Sequence, residues 1–118
     1  MTARDVLAAY EERINAQDFD CLLDLIAPDA SFWFTSGTHH GLAAIRAAFE
    51  ATWQLMGPDE HYWLTDKAWI AEGDAAAACT YTFNWTAGGK SGSGRGTTVL
   101  ANTSAGWRIV HEHLSRVP

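Results

Sequence analysis

Too few cysteines, too few basic residues and apolar runs that are too short remove several protein classes at once. Cys21 and Cys79 are the only two cysteines in 118 residues and make no metal-type spacing. They read as small core residues in a reducing compartment. Eight Lys and Arg against fourteen Asp and Glu leave a net charge of −6. Nucleic-acid binders need a basic face, and anionic lipid surfaces attract one, so neither partner is expected. No apolar run is long enough to span a bilayer. The opening Met1-Thr2-Ala3-Arg4-Asp5 carries no apolar leader core, so a cytoplasmic location is the default expectation. No repeat and no linker interrupts the chain, and one domain over residues 1–118 is expected.

What is present is an ordinary globular balance, 47% apolar and 19% charged, with an unusual load of rings: six Trp, five Phe and three Tyr. Such a load means an aromatic core or an aromatic-lined cavity.

Thr2 with Asp5 resembles a capping box. Val6, Leu7, Tyr10 and Ile14 then recur at helical spacing, giving a first helix that ends near Asn15-Ala16. Asp18 caps a short second helix with Phe19, Leu22, Leu23, Leu25 and Ile26 apolar, stopped by Pro28. Ser31–Thr35 reads as a short aromatic strand and Ser36–Gly41 as a loop. Leu42–Met56 reads as a third helix with Ile45, Phe49, Trp53 and Leu55 or Met56 as its stripe, ended by Gly57-Pro58. From Glu60 the period changes to two. Strands are expected over His61–Ala71, Ala75–Thr86, Thr97–Asn102 and Trp107–Arg116, with a Gly/Ser loop over Gly88–Gly96. The fold class is therefore α+β: three N-terminal helices against a curled antiparallel meander.

The last strand carries the most chemistry. Strict alternation puts Trp107, Ile109, His111 and His113 on one face and Arg108, Val110, Glu112 and Leu114 on the other. Neither face is purely polar, which suits a sheet with a core on one side and a cavity or partner on the other. Which face meets the cavity stays open at this point.

Several stretches together resemble the nuclear transport factor 2-like superfamily, in its branch of SnoaL-like and ketosteroid-isomerase-like small domains. They are Asn15-Ala16-Gln17-Asp18-Phe19-Asp20; Gly41 before a helix with Ile45, Phe49 and Trp53; Gly73-Asp74-Ala75-Ala76 at a hairpin; and Gly106–Ser115. The ending, a Trp followed by His-x-His and Ser, is also similar to the calcium/calmodulin-dependent kinase II association domain. The resemblance implies a cone, the cystatin-like α+β roll, with a strongly bent sheet wrapped around the helices and a pocket at the wide end. It also implies a homodimer through the sheet. It does not imply one reaction, because the superfamily holds isomerases, cyclases, dehydratases and inert adaptors. No motif fixes a ketosteroid-isomerase constellation among Asp66, Glu112, Tyr62 and Tyr81. No arginine sits with an obvious pair of aspartates, as an epoxide-hydrolase set would need.

The acid/base candidates are Glu112, His111, His113 and Asp66. Histidine titrates near neutrality, and a carboxyl among apolar neighbours has its pKa raised, as a general base requires. On a flat strand Glu112 points away from both histidines, so the three make no relay without a bulge. The alternatives are histidines bonded across the sheet and an Asp66 that marks a bulge. The candidate ligand walls are Trp53, Tyr81, Phe83, Trp85, Trp33 and Phe49, with Trp53 matching a pocket position of the similar association domain; core packing competes for all of them. A metal would need a third and fourth ligand that no motif supplies beside His111 and His113, and neither metal nor cofactor is expected. Gly88–Gly94 contains Gly-Lys-Ser but lacks the first glycine of a phosphate loop and the following helix, so it reads as a hairpin. The expected function is a pocket for a small apolar or aromatic molecule, with cofactor-free isomerase, cyclase or dehydratase chemistry; the alternative is a non-catalytic, homo-oligomerising association module.

Overall fold

The computed structural model describes residues 1–116. Helix α1 (Ala3–Arg13) starts at the Thr2/Asp5 capping box, closed by Asp5 N to Thr2 Oγ1 at 3.2 Å and Thr2 N to Asp5 Oδ2 at 2.8 Å. It buries Ala3, Val6, Leu7 and Tyr10, one stripe at three- and four-residue spacing. Helix α2 (Leu42–Met56) has the expected bounds and buries Ile45, Phe49 and Trp53, one residue per turn.

The expected second helix is a correction. Only a 3₁₀ turn forms there, Phe19–Leu22, capped by Asp18 accepting from Asp20 N at 3.1 Å. The apolar run behind it is spent on strand β1 (Ile26–Phe34). Pro28 disfavours helical geometry at Ala27, and Leu25 already accepts a hydrogen bond from Ile109 N at 2.8 Å. The N-terminal half thus holds two α-helices rather than three. The expected loop before α2 is in part an edge strand, β2 (Gly37–His40), folded back on β1.

The remaining strands are β3 (His61–Glu72), β4 (Ala76–Ala87), β5 (Lys90–Thr103) and β6 (Gly106–Arg116). They form the expected antiparallel meander. The full sheet runs β2-β1-β6-β5-β4-β3 and is mixed, because β1 lies parallel to β6. It curls around the helices without closing, and β6 sits inside it between β1 and β5.

Three local features shape the inner face. Gly88 and Gly89 (φ +56° and +78°) make a two-residue hairpin turn between paired Ala87 and Lys90. The long Gly/Ser loop is therefore strand from Lys90 onward. Its glycines 92, 94 and 96 alternate inward opposite Trp85, Phe83 and Tyr81. A Cβ at any of the three would fall under 3.0 Å from the facing ring. Next, Val110 is a bulge residue: Val99 pairs with His111 and Leu100 with Ile109. The extra residue shifts the alternation by one, so Ile109 joins Glu112 on the inner side, both fully buried, and not the histidines as strict alternation expects. Lastly, Asp66 and Lys67 together oppose one residue of β4, with Asp66 at φ +55°, a second bulge.

Candidate functional site

Between the helices and the inner faces of β3 to β6 lies a cavity of about 610 Å³. Exposed Thr52, Leu55, Ser93 and Arg116 mark its mouth, and buried Tyr10 and Glu112 mark its closed end. The walls are aromatic. Phe49 and Trp53 come from α2, with ring centroids 5.4 Å apart. Tyr62 stacks on Phe83 at 6.1 Å and 17°, and Trp85 lies one step further out on β4. The glycine track makes this space. Without Cβ atoms on β5, the β4 rings lie flush against its backbone instead of standing into the cup. Asn15 fixes the end of α1 to β3, donating to Tyr62 O at 2.8 Å and accepting from Tyr62 N at 2.7 Å.

At the closed end Glu112 has no exposed surface. Its Oε2 accepts from the Tyr10 hydroxyl at 2.9 Å and its Oε1 from the Tyr81 hydroxyl at 3.1 Å. Tyr81 in turn shares a 2.7 Å hydrogen bond with Thr98 Oγ1. Burial pushes the Glu112 carboxyl up to about 7, and the hydrogen bonds from Tyr10, Tyr81 and Thr98 act against that rise without cancelling it. Burial, and then the nearby Glu112 charge, push all three tyrosines, Tyr10, Tyr62 and Tyr81, well above their usual range. They are neutral donors at any physiological pH. Glu60, also in the cavity wall, is raised by burial alone.

Of the residues singled out from the sequence, Glu112, Phe49, Trp53, Phe83 and Trp85 converge on the cavity. Tyr81 lies behind the wall, bonded to Glu112. His111, His113 and Trp33 are on the outer face of the sheet: the Trp33 ring is edge-on to both imidazoles at 4.8 and 5.3 Å, and Ser31 Oγ lies 2.9 Å from His111 Nδ1. The histidines thus bond and pack across the β1/β6 seam, apart from Glu112. Asp66 is exposed at its bulge. Sequence reasoning placed Tyr10 only in the core stripe of α1 and passed over Thr98. Alternation along β5, which turns Thr98 to the same side as Gly96, was the signal for Thr98. Among the described residues no three His, Cys, Asp or Glu side chains converge as a metal site requires.

A protein of the nuclear transport factor 2-like superfamily from Salmonella enterica serovar Typhimurium superimposes with a TM-score of 0.84 at 25% identity, over 97% of this chain and 87% of its own. A protein with a cystatin-like fold from Caulobacter vibrioides gives 0.82 at 20% identity, over 98% and 87%. One of unknown function from Nostoc punctiforme gives 0.84 at 14%, over 98% and 88%. The last two likenesses are of fold alone. No curated protein matches the chain. The SnoaL-like domain family matches residues 3–118, and with the curled sheet, the two helices and the cup between them in agreement, the chain belongs to the SnoaL-like domain family.

Proposed function

We propose that this protein binds a flat, mainly apolar small molecule in the aromatic cup and moves a proton on it with Glu112, in cofactor-free isomerisation, cyclisation or dehydration. The observation that carries this reading is a carboxyl poised to titrate near pH 7 at the closed end of an aromatic-walled cavity. A general base or acid works best when its pKa lies near the working pH. The volume suits a molecule of two or three fused rings, within the ~300–1,000 Å³ range of small-molecule sites. Phe49, Trp53, Phe83 and Trp85 supply burial, and the polar atoms lie at the end where chemistry would occur.

A thermal-shift screen against apolar ketones, lactones and aromatic acids tests the binding half, since a ligand of the native state alone raises the melting temperature. Wild type is expected to shift with at least one class, and Trp53→Ala to shift much less. No shift for wild type, or an equal one in the variant, removes the pocket assignment. For any turnover found, Glu112→Gln is expected to keep binding and lower the rate by about 10² to 10⁴, the usual worth of a positioned acid or base.

The outer sheet face favours a second role, that of a homodimer seam. Trp33 is 46% exposed beside His111 and His113 on this uncovered face, and a second copy would bury it. On this reading wild type sediments as a dimer and Trp33→Glu as a monomer, with the cavity intact by ligand shift. A monomeric wild type at all concentrations eliminates the seam.

A further inference from the structure

The carboxylates of the described residues divide by partner and burial. Most hold a Lys or Arg, a backbone N–H or a tyrosine hydroxyl. The side chains of Glu12, Asp29, Asp66 and Asp74 hold none of these within the described residues, and all four are exposed, where water serves them. Glu60 fits neither group. It is half-buried in the wall of the cup, and among the described residues its carboxyl has no hydrogen bond and no ion pair. A carboxylate drawn out of water without a partner costs stability, and a ligand can supply the group that the protein does not. We propose that Glu60 holds the ammonium group of an organic amine whose flat apolar body fills the cup. This rests on the reading of the cup as a small-molecule site and is independent of any proton transfer at Glu112.

Glu60 extends the inward row of Leu64 and Tyr62 by one step, just before β3 begins. Tyr62 pairs with Trp85 across β3 and β4, and both rings line the cup. An ammonium at Glu60 therefore has aromatic rings as well as a carboxylate for neighbours, and both attract a cation that has left water. The Glu60 charge is felt inside the cup: after burial and Glu112, it is the next cause that lifts the Tyr62 hydroxyl. Among the described residues Arg116 is the one Lys or Arg of the lining, and it is exposed at the mouth, where water and salt screen its charge. A metal ion does not fit the place. It needs several convergent ligands, and among the described residues no three His, Cys, Asp or Glu side chains gather. The ligand class that follows is a primary or secondary amine on a short arm from a flat ring system, since its N–H groups can donate to the carboxylate.

The test is calorimetric titration at neutral pH and low salt with three probes of one shape: 2-naphthylmethylamine, 2-naphthylmethanol and 2-naphthoic acid. Wild type is expected to bind the amine about tenfold or more tighter than the alcohol, the usual worth of one hydrogen bond to a charged group, and the acid most weakly. Glu60→Gln should bind amine and alcohol within about threefold of each other, with the alcohol affinity of wild type, which reports an intact cup. Added salt should erode the preference of wild type for the amine and leave the alcohol unaffected. If wild type binds the alcohol as tightly as the amine, the amine assignment is overturned and the cup remains a binding site. A preference that survives in Glu60→Gln overturns it too, as does tightest binding of the acid, which would make Arg116 the anchor. Binding of none of the three by wild type overturns both the amine assignment and the cup. Should Glu60→Gln fail to fold, the salt series on wild type decides: a preference eroded by salt supports the inference, and one indifferent to salt overturns it.

Discussion

Wild-type protein is expected to lose stability as pH rises from about 4.5 to about 7, and Glu112→Gln is expected to abolish that loss. The buried carboxyl has its folded-state pKa raised from 4.5 to about 7. Below 4.5 it is protonated whether folded or unfolded and carries no penalty. Between the two values the unfolded chain releases the proton while the folded protein holds it, so each step up in pH favours unfolding. Above 7 both states are ionised and the penalty stays constant. A gap of about 2.5 pH units corresponds to roughly 3 kcal/mol, a large share of the ~5–15 kcal/mol that stabilises a domain. The measurement is urea unfolding of both proteins from pH 4 to 8, taken as a difference so that the other carboxyls and the histidines cancel. The amide keeps the shape of the carboxyl, and the hydroxyls of Tyr10 and Tyr81 can still face it. A flat difference curve would mean that the carboxyl pays no burial penalty, and the case for a base tuned by its surroundings would fail with it.

Gly94→Ala is expected to cost about 3 kcal/mol, at the upper end of the usual cost of forcing extra atoms into a packed core, whereas Gly92→Ala should cost less than about 1 kcal/mol. Both added methyl groups would meet an aromatic ring at under 3.0 Å. At Gly92 the nearest obstacle is the Trp85 indole, at 2.6 Å, and that partly buried ring near the mouth can swing. At Gly94 the obstacles are the Phe83 ring and the backbone carbonyl of Ser115, and the backbone cannot swing. Gly96→Ala belongs with Gly94: its neighbours are Tyr81 and Leu114, and displacing Tyr81 would strip one hydroxyl from Glu112 and push that carboxyl higher still. Denaturant midpoints of the three variants decide the matter. Equal costs at all three sites would show that the rings are not held against β5.

Pattern reading succeeded where one element answers to one period. The four-residue spacing of Ile45, Phe49 and Trp53 places α2 at its observed bounds, and the alternation of Tyr81, Phe83 and Trp85 with threonines and Asn84 marks β4. It failed where a distant partner reassigns a segment. Leu25 and Ile26 look helical in isolation, yet β6 recruits them into a parallel pairing inside the sheet. Gly92, Gly94 and Gly96 look like loop residues because glycine is a poor strand former, and only the rings opposite them explain their presence. The period-two spacing of these glycines, matched to that of the aromatics, was the available clue.

By itself the sequence determined the α+β class, the meander and the family resemblance, because these follow from local periodicity and residue type. Of the six aromatic residues it offered as walls, Phe49, Trp53, Phe83 and Trp85 line the cavity, whereas Tyr81 and Trp33 do not. It also singled out Glu112. Tertiary structure alone decided that Glu112 faces Tyr10 and Tyr81 while His111 and His113 face away beside Trp33. It also decided that Ile109 joins the inner side through the bulge at Val110. The physical reason is that one inserted residue inverts every side chain beyond it on a strand, and a bulge is defined by the register of two chains, which no single stretch of sequence contains. The acidity of Glu112 has the same origin. Removal of water raises its pKa, and hydroxyls 102 and 31 residues away along the chain pull it partly back.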